Sequence, residues 1–426
     1  MTALSLEGAA QVLRPPEDGL PYLRLDHAAA EQSLRSGALL TDGDRIAGFA
    51  PAAAARRIDV SGCAVVPGFV DCHTHLPFAG WRAEEYALKV AGRPYEEIAR
   101  SGGGIAASAR AFADAGDDDV LRQAEGLARE LLEHGTTTFE TKSGYGLSEA
   151  AELRALTLAR TLAARVPQTV RHTALLAHAV PPGRDADEWL AAVAGLIPQT
   201  DATALDIYVE SVAFGLDHLE RMGLLAAAHG RDLRAHVEQF STMRSVPVAL
   251  SAGARSVDHL ACLHPDDVAP LAAAECAAVL LPGAELLGDE AVAPGRALAD
   301  AGAIGVIATD LNPGTSPVTS LPLIAGLAVR RYRWSVREAL AAMTLNAAWV
   351  LRLEHELGSL EVGKRADVVV LDAPVDHLPY RLGHNPVALV IAGGEVVHVR
   401  PDQAWRLGTQ RGSDPLSPPT TGGQTP

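Results

Sequence analysis

The residues best suited to chemistry sit in one stretch, AVVPGFVDCHTHLPFAG, from Ala64 to Gly80. An apolar run through Val65, Val66, Phe69 and Val70 ends in Asp71-Cys72-His73-Thr74-His75. Side chains alternate faces along a strand, so Asp71, His73 and His75 are expected to point the same way. Two imidazoles on one face, two residues apart, can grip one metal ion together. Ordinary core or surface histidines reach the same spacing by chance. What favours an ion is the position of the pair, at the end of an apolar strand, where a parallel barrel presents its chemistry.

Other polar residues close apolar runs further along the chain. The second run leads into Glu140-Thr141-Lys142-Ser143-Gly144-Tyr145-Gly146, the third ends at His178 and the fourth at Glu210. The fifth carries His236, then Glu238 and Gln239, the sixth Asp258-His259, and the eighth Asp310-Leu311-Asn312. His73 and His75 from the first run, His236 from the fifth and Asp310 from the eighth make three nitrogens and a carboxylate. That donor set suits zinc, and also iron or another first-row ion. Such an ion lowers the pKa of bound water from 15.7 towards about 7, which makes hydroxide available at neutral pH. One histidine at a strand end is more often a hydrogen-bonded structural residue. Several at barrel-compatible positions are a stronger signal. His134, before Gly135, reads as a cation at a helix end. Lys142 reads as structural, though its place among polar strand ends leaves its role open.

Eight strands must position these residues. After the first run, strand patterns are expected at 136–141, 170–176, 204–209, 232–237, 256–260, 277–281 and 305–309. Helical periodicity fills the gaps at 120–133, 148–164, 187–196, 216–229, 265–274 and 295–301, with Ser148 placed as an N-cap. Alternating strands and helices predict an α/β fold, a (β/α)8 TIM barrel with its site at the strand C-terminal ends. Two further helices are expected at 321–332 and 336–345, after which the pattern reverts to strands at 358–372 and 388–399. Residues 1–65 are also β-rich, with strands at 33–40 and 45–49. Both ends should therefore form a small composite β-sandwich domain, from residues 1–65 and 353–405, flanking a barrel at 66–352. Residues 406–426 are rich in Pro, Gly and Thr and are expected to be a disordered tail.

Composition sets the remaining bounds. The 426 residues accommodate a barrel of ~250 plus an accessory domain. A hydrophobic fraction of 48% supplies a sizeable core. The net charge of −16 argues against nucleic acid and membrane as partners, but not against a small anionic substrate met by a single buried arginine. The four cysteines are scattered without a CxxC pair, and the N-terminus lacks a basic signal region, so a cytoplasmic protein with reduced thiols is expected.

PGFVDCHTH, His236, Asp258-His259 and Asp310 resemble the amidohydrolase superfamily of metal-dependent hydrolases. Within it, WRAEEY (81–86), SGGGI (101–105), KSGYGL (142–147), LLAHAVP (175–181) and TDLNPGTSP (309–317) look like the imidazolonepropionase family. The resemblance runs from about Val65 to Asp372. It implies hydrolysis of the cyclic amide of 4-imidazolone-5-propanoate to N-formimidoyl-L-glutamate, in histidine degradation. It also implies one zinc or iron ion per chain, divalent or trivalent, held by His73, His75, His236 and Asp310. Arg82, Tyr95, Tyr145 and His178 would contact substrate, and Asn312, Gly314 and Thr315 would hold the ring or product. His259 would sit beside the reacting carbonyl, and Asp310 would move the proton. Some members carry His-Ala-Asp-Glu after the fifth strand, with the glutamate on the ring. Here His236-Val237-Glu238-Gln239 puts Gln239 in that place, with Glu238 the weaker candidate because it should point the other way. A homodimer is implied by the resemblance only. The rival readings are another cyclic amidohydrolase, a deaminase, or a non-catalytic scaffold. Binuclear relatives often use a carboxylated lysine at the end of the fourth strand. Here that strand ends in Tyr208-Val209-Glu210, which favours one ion.

Overall fold

The computed structural model describes residues 3–26, 31–288 and 291–408. Two sheets of eight strands organise them. The first sheet contains β1 (Leu4–Arg14), β2 (Ser33–Asp42), β3 (Arg45–Gly48), β4 (Arg56–Asp59) and β5 (Ala64–Pro67) from the N-terminal part of the chain. The second contains β6 (Phe69–Asp71), β7 (Thr136–Lys142), β8 (Thr169–Ala177), β9 (Ala204–Val209), β10 (Asp232–Val237), β11 (Ala254–His259), β12 (Ala277–Leu280) and β13 (Ile304–Ile307). The chain then returns to the first sheet as β14 (Val368–Leu371), β15 (Val387–Ala392) and β16 (Glu395–Val399).

The second sheet is parallel and runs in sequence order from β6 to β13, as a (β/α)8 barrel requires. Its interior is lined by runs such as Ala-Leu-Asp-Ile-Tyr-Val in β9, buried at every position. The helices between strands present one apolar stripe each. Helix 117–133 buries Val120, Leu121, Ala124, Leu127 and Ala128 along one face, at helical spacing. Ser148 caps the next helix, its hydroxyl accepting from the Ala151 amide at 3.3 Å. His134 and Gly135 close helix 117–133, with Gly135 at φ 91°.

The two ends of this sheet, β6 and β13, are joined by contacts at and just past their C-terminal ends. Thr309, just past β13, donates to the Asp71 carboxylate from its hydroxyl (2.6 Å) and its amide (3.1 Å). Above this, Thr74 and Leu311 form a parallel bridge, and the His75 amide donates to the Leu311 carbonyl at 2.9 Å. The seam therefore closes beside the first histidines and Asp310.

The composite domain expected as a sandwich is hydrogen-bonded as one mixed sheet, in the order β16-β15-β14-β5-β1-β2-β3, with β4 also on β1. Alternation assigns its two faces. Val65, Val368 and Val370 pack with Leu6, Leu39 and Ile391 in a core of their own. Val66, Val369, Leu371 and Val390 face the other way, into the main barrel core. The apolar run expected as a single first strand is thus two strands. Ala64–Pro67 belongs to the terminal sheet and only Phe69–Asp71 to the barrel. The crossing falls at Pro67-Gly68, where proline offers no amide to a ladder and a Cβ on Gly68 would strike Thr137. At the other end, residues 401–407 form a 3-10 helix in which Arg406 reaches the Asp59 carbonyl at 3.1 Å. The tail expected from residue 406 therefore starts later, because 406 and 407 belong to this helix and Arg406 is buried against the N-terminal sheet, while 409–426 lie outside the described residues.

Asn346, fully buried, ties the N-terminal segment to the barrel. Its Oδ1 accepts from the Leu23 amide at 2.7 Å, and its Nδ2 donates to the carbonyls of Leu23 (2.8 Å) and Gly305 (2.9 Å). Asn346→Leu keeps the volume but leaves three buried backbone groups unpaired. It is expected to lower stability by about 3 kcal/mol or more, read by urea unfolding. A loss under about 1 kcal/mol would mean that water reaches these groups.

Candidate active site

The floor of the site is a cluster of five buried charges. Glu140 and Lys142 rise from β7, Asp206 from β9, Arg234 from β10 and Asp258 from β11, none more than 1% exposed. Lys142 Nζ donates to Asp206 Oδ2 at 2.7 Å and lies 3.0 Å from Glu140 Oε2. Arg234 holds Glu140 with one terminal nitrogen and Asp258 Oδ2 with the other, at 2.7 Å in the second case. Its Nε donates to Ser256 at 2.9 Å. Burial and their mutual repulsion work against both cations, but the three carboxylates outweigh them and hold both above their ordinary ranges.

Two of those carboxylates aim histidines. Asp258 accepts from His73 Nδ1 at 2.6 Å, and Asp206 from His236 Nδ1 at 3.1 Å. The tautomer is thereby fixed, with the other ring nitrogen offering a lone pair. Those nitrogens, Nε2 of His73 and of His236, are buried and without a hydrogen-bond partner, as is Nδ1 of His75. Asp310 completes the group, its Oδ1 lying 3.2 Å from His75 Nε2 and 3.5 Å from His73 Nε2. Burial holds the rings of His73 and His75 well below the usual imidazole range, so they are neutral, as ligands must be. His73, His75 and His236 have donor atoms close enough to share one ion, and so do His73, His259 and Asp310. Three imidazoles and a carboxylate, with buried nitrogens lacking partners, fit a metal ion of the zinc or iron type. Asp71, expected on the same face, instead gives its carboxylate to Thr309.

Above this floor lies a small cleft lined by His75, Arg82, Ile105, Tyr145, His178, Tyr208, His236, Gln239, His259, Asp310, Asn312 and Thr315. His178 donates from Nδ1 to the Gly144 carbonyl at 3.0 Å, leaving Nε2 as an acceptor, and its ring stacks on His75 at 5.2 Å between centroids. Arg82 donates to Ser108 at 3.1 Å and lies 3.3 Å from Glu85. Gly314 packs against the Arg82 guanidinium, where a Cβ would collide with it. Asn312 lines the cleft but spends its amide on the loop. Its Oδ1 accepts from the amides of Gly314 (2.8 Å) and Thr315 (2.7 Å), and its Nδ2 donates to the Asp310 carbonyl at 2.7 Å. Its geometry suits shaping the loop that carries Asp310, itself at φ 52°.

Gln239 faces the cleft, whereas Glu238 accepts from the amides of Met243 (3.0 Å) and Ser245 (2.6 Å) and shapes the entry to helix 245–251. Tyr95 begins helix 95–100, and its side chain lies outside the described residues. Sequence reasoning missed Ile105 and Tyr208 in the cleft wall and the roles of Asp206, Asp258 and Arg234 beneath it. The available signal was parity: Arg234 and His236, or Asp206 and Tyr208, share one face of an otherwise apolar strand.

A family model for the amidohydrolase family matches residues 64–397. The imidazolonepropionase of Rubrobacter xylanophilus is 43% identical over 371 residues, covering 84% of this chain and 89% of that one. The imidazolonepropionase of Pseudomonas aeruginosa UCBPP-PA14 is 40% identical over 382 residues, covering 86% and 94%. Among solved structures, an adenosine deaminase from Xanthomonas campestris with bound zinc superposes with a TM-score of 0.69 at 20% identity, covering 93% of each chain. Guanine deaminase from E. coli superposes at 0.68 and 16% identity, covering 94% of this chain and 100% of that one. These superpositions speak to the fold.

The Asp258–His73 pair gives a direct test of the floor. Asp258→Asn removes the anion behind one candidate ligand and is expected to weaken ion affinity by about 10- to 100-fold in chelator competition. Unchanged affinity would show that Asp258 does not tune the site.

Proposed function

The chain belongs to the amidohydrolase family and, within it, to the imidazolonepropionases, and we propose that it opens the ring of 4-imidazolone-5-propanoate by hydrolysis of the cyclic amide, giving N-formimidoyl-L-glutamate. One observation carries the reading of the site: the partnerless Nε2 atoms of His73 and His236 belong with His75 to one group of converging donors, and Asp310 approaches His73 and His75, under a small cleft whose wall includes Arg82. His73, His75, His236 and Asp310 would hold a single zinc or iron ion. Bound there, the ion would polarise the ring carbonyl and make water a competent nucleophile at neutral pH.

The protein's own groups do the rest. Asp310 takes the proton from the attacking water at its carboxylate. The water oxygen bonds to the carbonyl carbon, the ring C–N bond breaks, and Asp310 returns the proton to the departing nitrogen. His259, with a ring nitrogen close to the Asp310 carboxylate, stabilises the developing oxyanion. Gln239, Tyr145 and the acceptor Nε2 of His178 orient the ring. Arg82 takes the propionate, its planar guanidinium matching a carboxylate. Asn312, Gly314 and Thr315 set the loop that holds Asp310 and flanks Arg82.

A single ion accords with Lys142. Its amine, the only lysine nitrogen among these strand ends, is held as an ammonium by Asp206 and Glu140 and offers no lone pair for carboxylation. Free cysteines, with Cys63, Cys72 and Cys276 buried, accord with the cytoplasm. No helix among the described residues is long and apolar enough to cross a membrane. A homodimer is the assembly the family reading implies.

Ring opening of imidazolone propionate by the purified protein, lost on chelation and restored by zinc or iron, is the expected result. No turnover by a metal-replete enzyme would overturn the assignment. Asp310→Asn keeps an oxygen donor but cannot accept the proton, so most turnover should vanish even in metal-replete protein. Near-normal turnover would remove Asp310 from proton transfer.

Arg82→Met is read with two ligands, the substrate and an analogue whose propionate is an uncharged amide. A charge-assisted fork contributes roughly 1.5–3 kcal/mol, about a tenfold to hundredfold change in affinity. The variant should lose that factor for the acid and far less for the amide. Equal losses on both would show that Arg82 is not the carboxylate partner.

A further inference from the structure

Behind the cleft wall, a carboxylate that takes no part in the reaction organises the loop facing the substrate. Glu152 lies in helix 149–163, fully buried, beneath the loop Ser143-Gly144-Tyr145-Gly146-Leu147. Its two oxygens accept from that loop, from three backbone amides, with the Ser143 side chain beside them. Oε2 receives the Gly144 amide at 2.9 Å, while Oε1 receives the amides of Gly146 at 2.7 Å and Leu147 at 3.1 Å. Among the described residues, no basic side chain pairs with it. Burial pushes its carboxyl above the ordinary range, and the Ser143 side chain and the three loop amides work against that shift.

The loop closes tightly on this carboxylate. A Cβ on Gly146 would strike the Glu152 backbone and side chain, and one on Gly144 would lie 2.8 Å from His178 Nδ1. Gly144, at φ 113°, also has a conformation open to glycine. Gly144 is therefore held from both sides, its amide by Glu152 and its carbonyl by His178 Nδ1–H at 3.0 Å. The next residue is Tyr145, whose ring lies 5.3 Å from His178 and 5.9 Å from His75. Tyr145 and His178 make up one wall of the cleft.

We propose that Glu152 is a positioning residue for substrate binding: by clamping the amides of Gly144, Gly146 and Leu147 it sets the placement of Tyr145 and, through the Gly144 carbonyl, the orientation and tautomer of His178. The inference rests on the reading that this wall meets the substrate ring. It separates Glu152 from the metal floor, because none of its hydrogen bonds reaches a candidate ligand.

The chemistry of the clamp selects the variant. Both oxygens of Glu152 face N–H donors, so the amide of Glu152→Gln must set its own NH₂ against a backbone N–H in either flip. Glu152→Asp keeps two acceptor oxygens, withdrawn by one methylene. Three quantities are measured on folded, purified holoenzyme: metal content, KM and kcat for imidazolone propionate, and amide hydrogen exchange at residues 143–147. In E152Q, metal content should match wild type, loop exchange should quicken, and KM should rise about tenfold or more with a smaller change in kcat. E152D should fall between the two. If E152Q does not yield folded protein, Gly146→Ala, which thrusts a methyl group at the clamp, is expected to give the same three results.

A metal-replete E152Q with wild-type KM overturns the positioning role, as does a wild-type exchange rate in the loop. A melting temperature that falls while KM and loop exchange stay fixed marks Glu152 as merely structural and overturns it as well. Tyr145→Phe separates this inference from the reading beneath it. Unchanged KM in that variant defeats the substrate-wall reading, whereas raised KM there beside a wild-type KM in E152Q defeats the clamp alone.

Discussion

The site depends on charges that water cannot reach. Glu140, Lys142, Asp206, Arg234 and Asp258 are contributed by β7, β9, β10 and β11, and each is hydrogen-bonded to another of the five. Any one alone would be costly to bury, and removing one partner from such a cluster typically costs about 3–5 kcal/mol. A cluster of this kind is a poor source of stability compared with packed leucines. What it supplies is direction. A carboxylate fixed by Lys142 or Arg234 presents a fixed lone pair to an imidazole, so His73 and His236 cannot rotate or exchange tautomers without breaking the cluster. Burial works to raise the Asp206 carboxyl, yet His236 and Lys142 bring it well below the ordinary range, which keeps it an acceptor.

The site is therefore built in layers of different stiffness. The floor is made of strand side chains and the seam bond between Asp71 and Thr309. Loops make the wall, and each is stiffened by a local device. Asn312 folds its own turn, Glu238 holds the amides of Met243 and Ser245, and Glu152 holds the glycines around Tyr145. In all three, a side-chain oxygen takes backbone amides that no helix or sheet would satisfy. Groups that would hold an ion stand on the rigid layer, and groups that would meet substrate stand on the adjustable one, an arrangement that lets loops vary while the floor is kept.

Much of this was legible in the sequence because periodicity reports burial. Seven of the eight barrel strands were placed to within about two residues, since each is an apolar run closed by a polar residue at its C-terminal end. The first was misread as one strand because Ala64–Val70 is apolar throughout. Apolarity does not reveal that alternate residues serve two different cores. Helix 245–251 went unseen because seven residues containing Pro247 and two serines show no full amphipathic period. The candidate ligands could be read because they cluster at strand ends. Their supports could not. Asp206 and Arg234 lie inside strands, where a charge looks like an exception until its partner on another strand is known. Glu152 looks like an ordinary first-turn carboxylate, and only the fold brings it under residues 144–147.

Charge is organised at two scales. The whole chain carries −16, which favours solubility and repels anions at long range. An anionic substrate must then be recognised at contact distance, by a cation whose position is already set. Arg82 is the proposed cation. Its amide donates to the Pro313 carbonyl at 2.9 Å, Ser108 takes one terminal nitrogen and Glu85 lies beside Nε. The bare face of Gly314 gives the guanidinium room to lie flat against the loop that carries Asp310. The same loop thus sets the distance between the proposed proton carrier and the proposed carboxylate anchor. In the proposed substrate, the ring amide and the propionate are likewise at a covalently fixed separation. Matching one rigid spacing to another gives selectivity for tail length without a large apolar pocket, which accords with the small, polar-lined cleft above the floor.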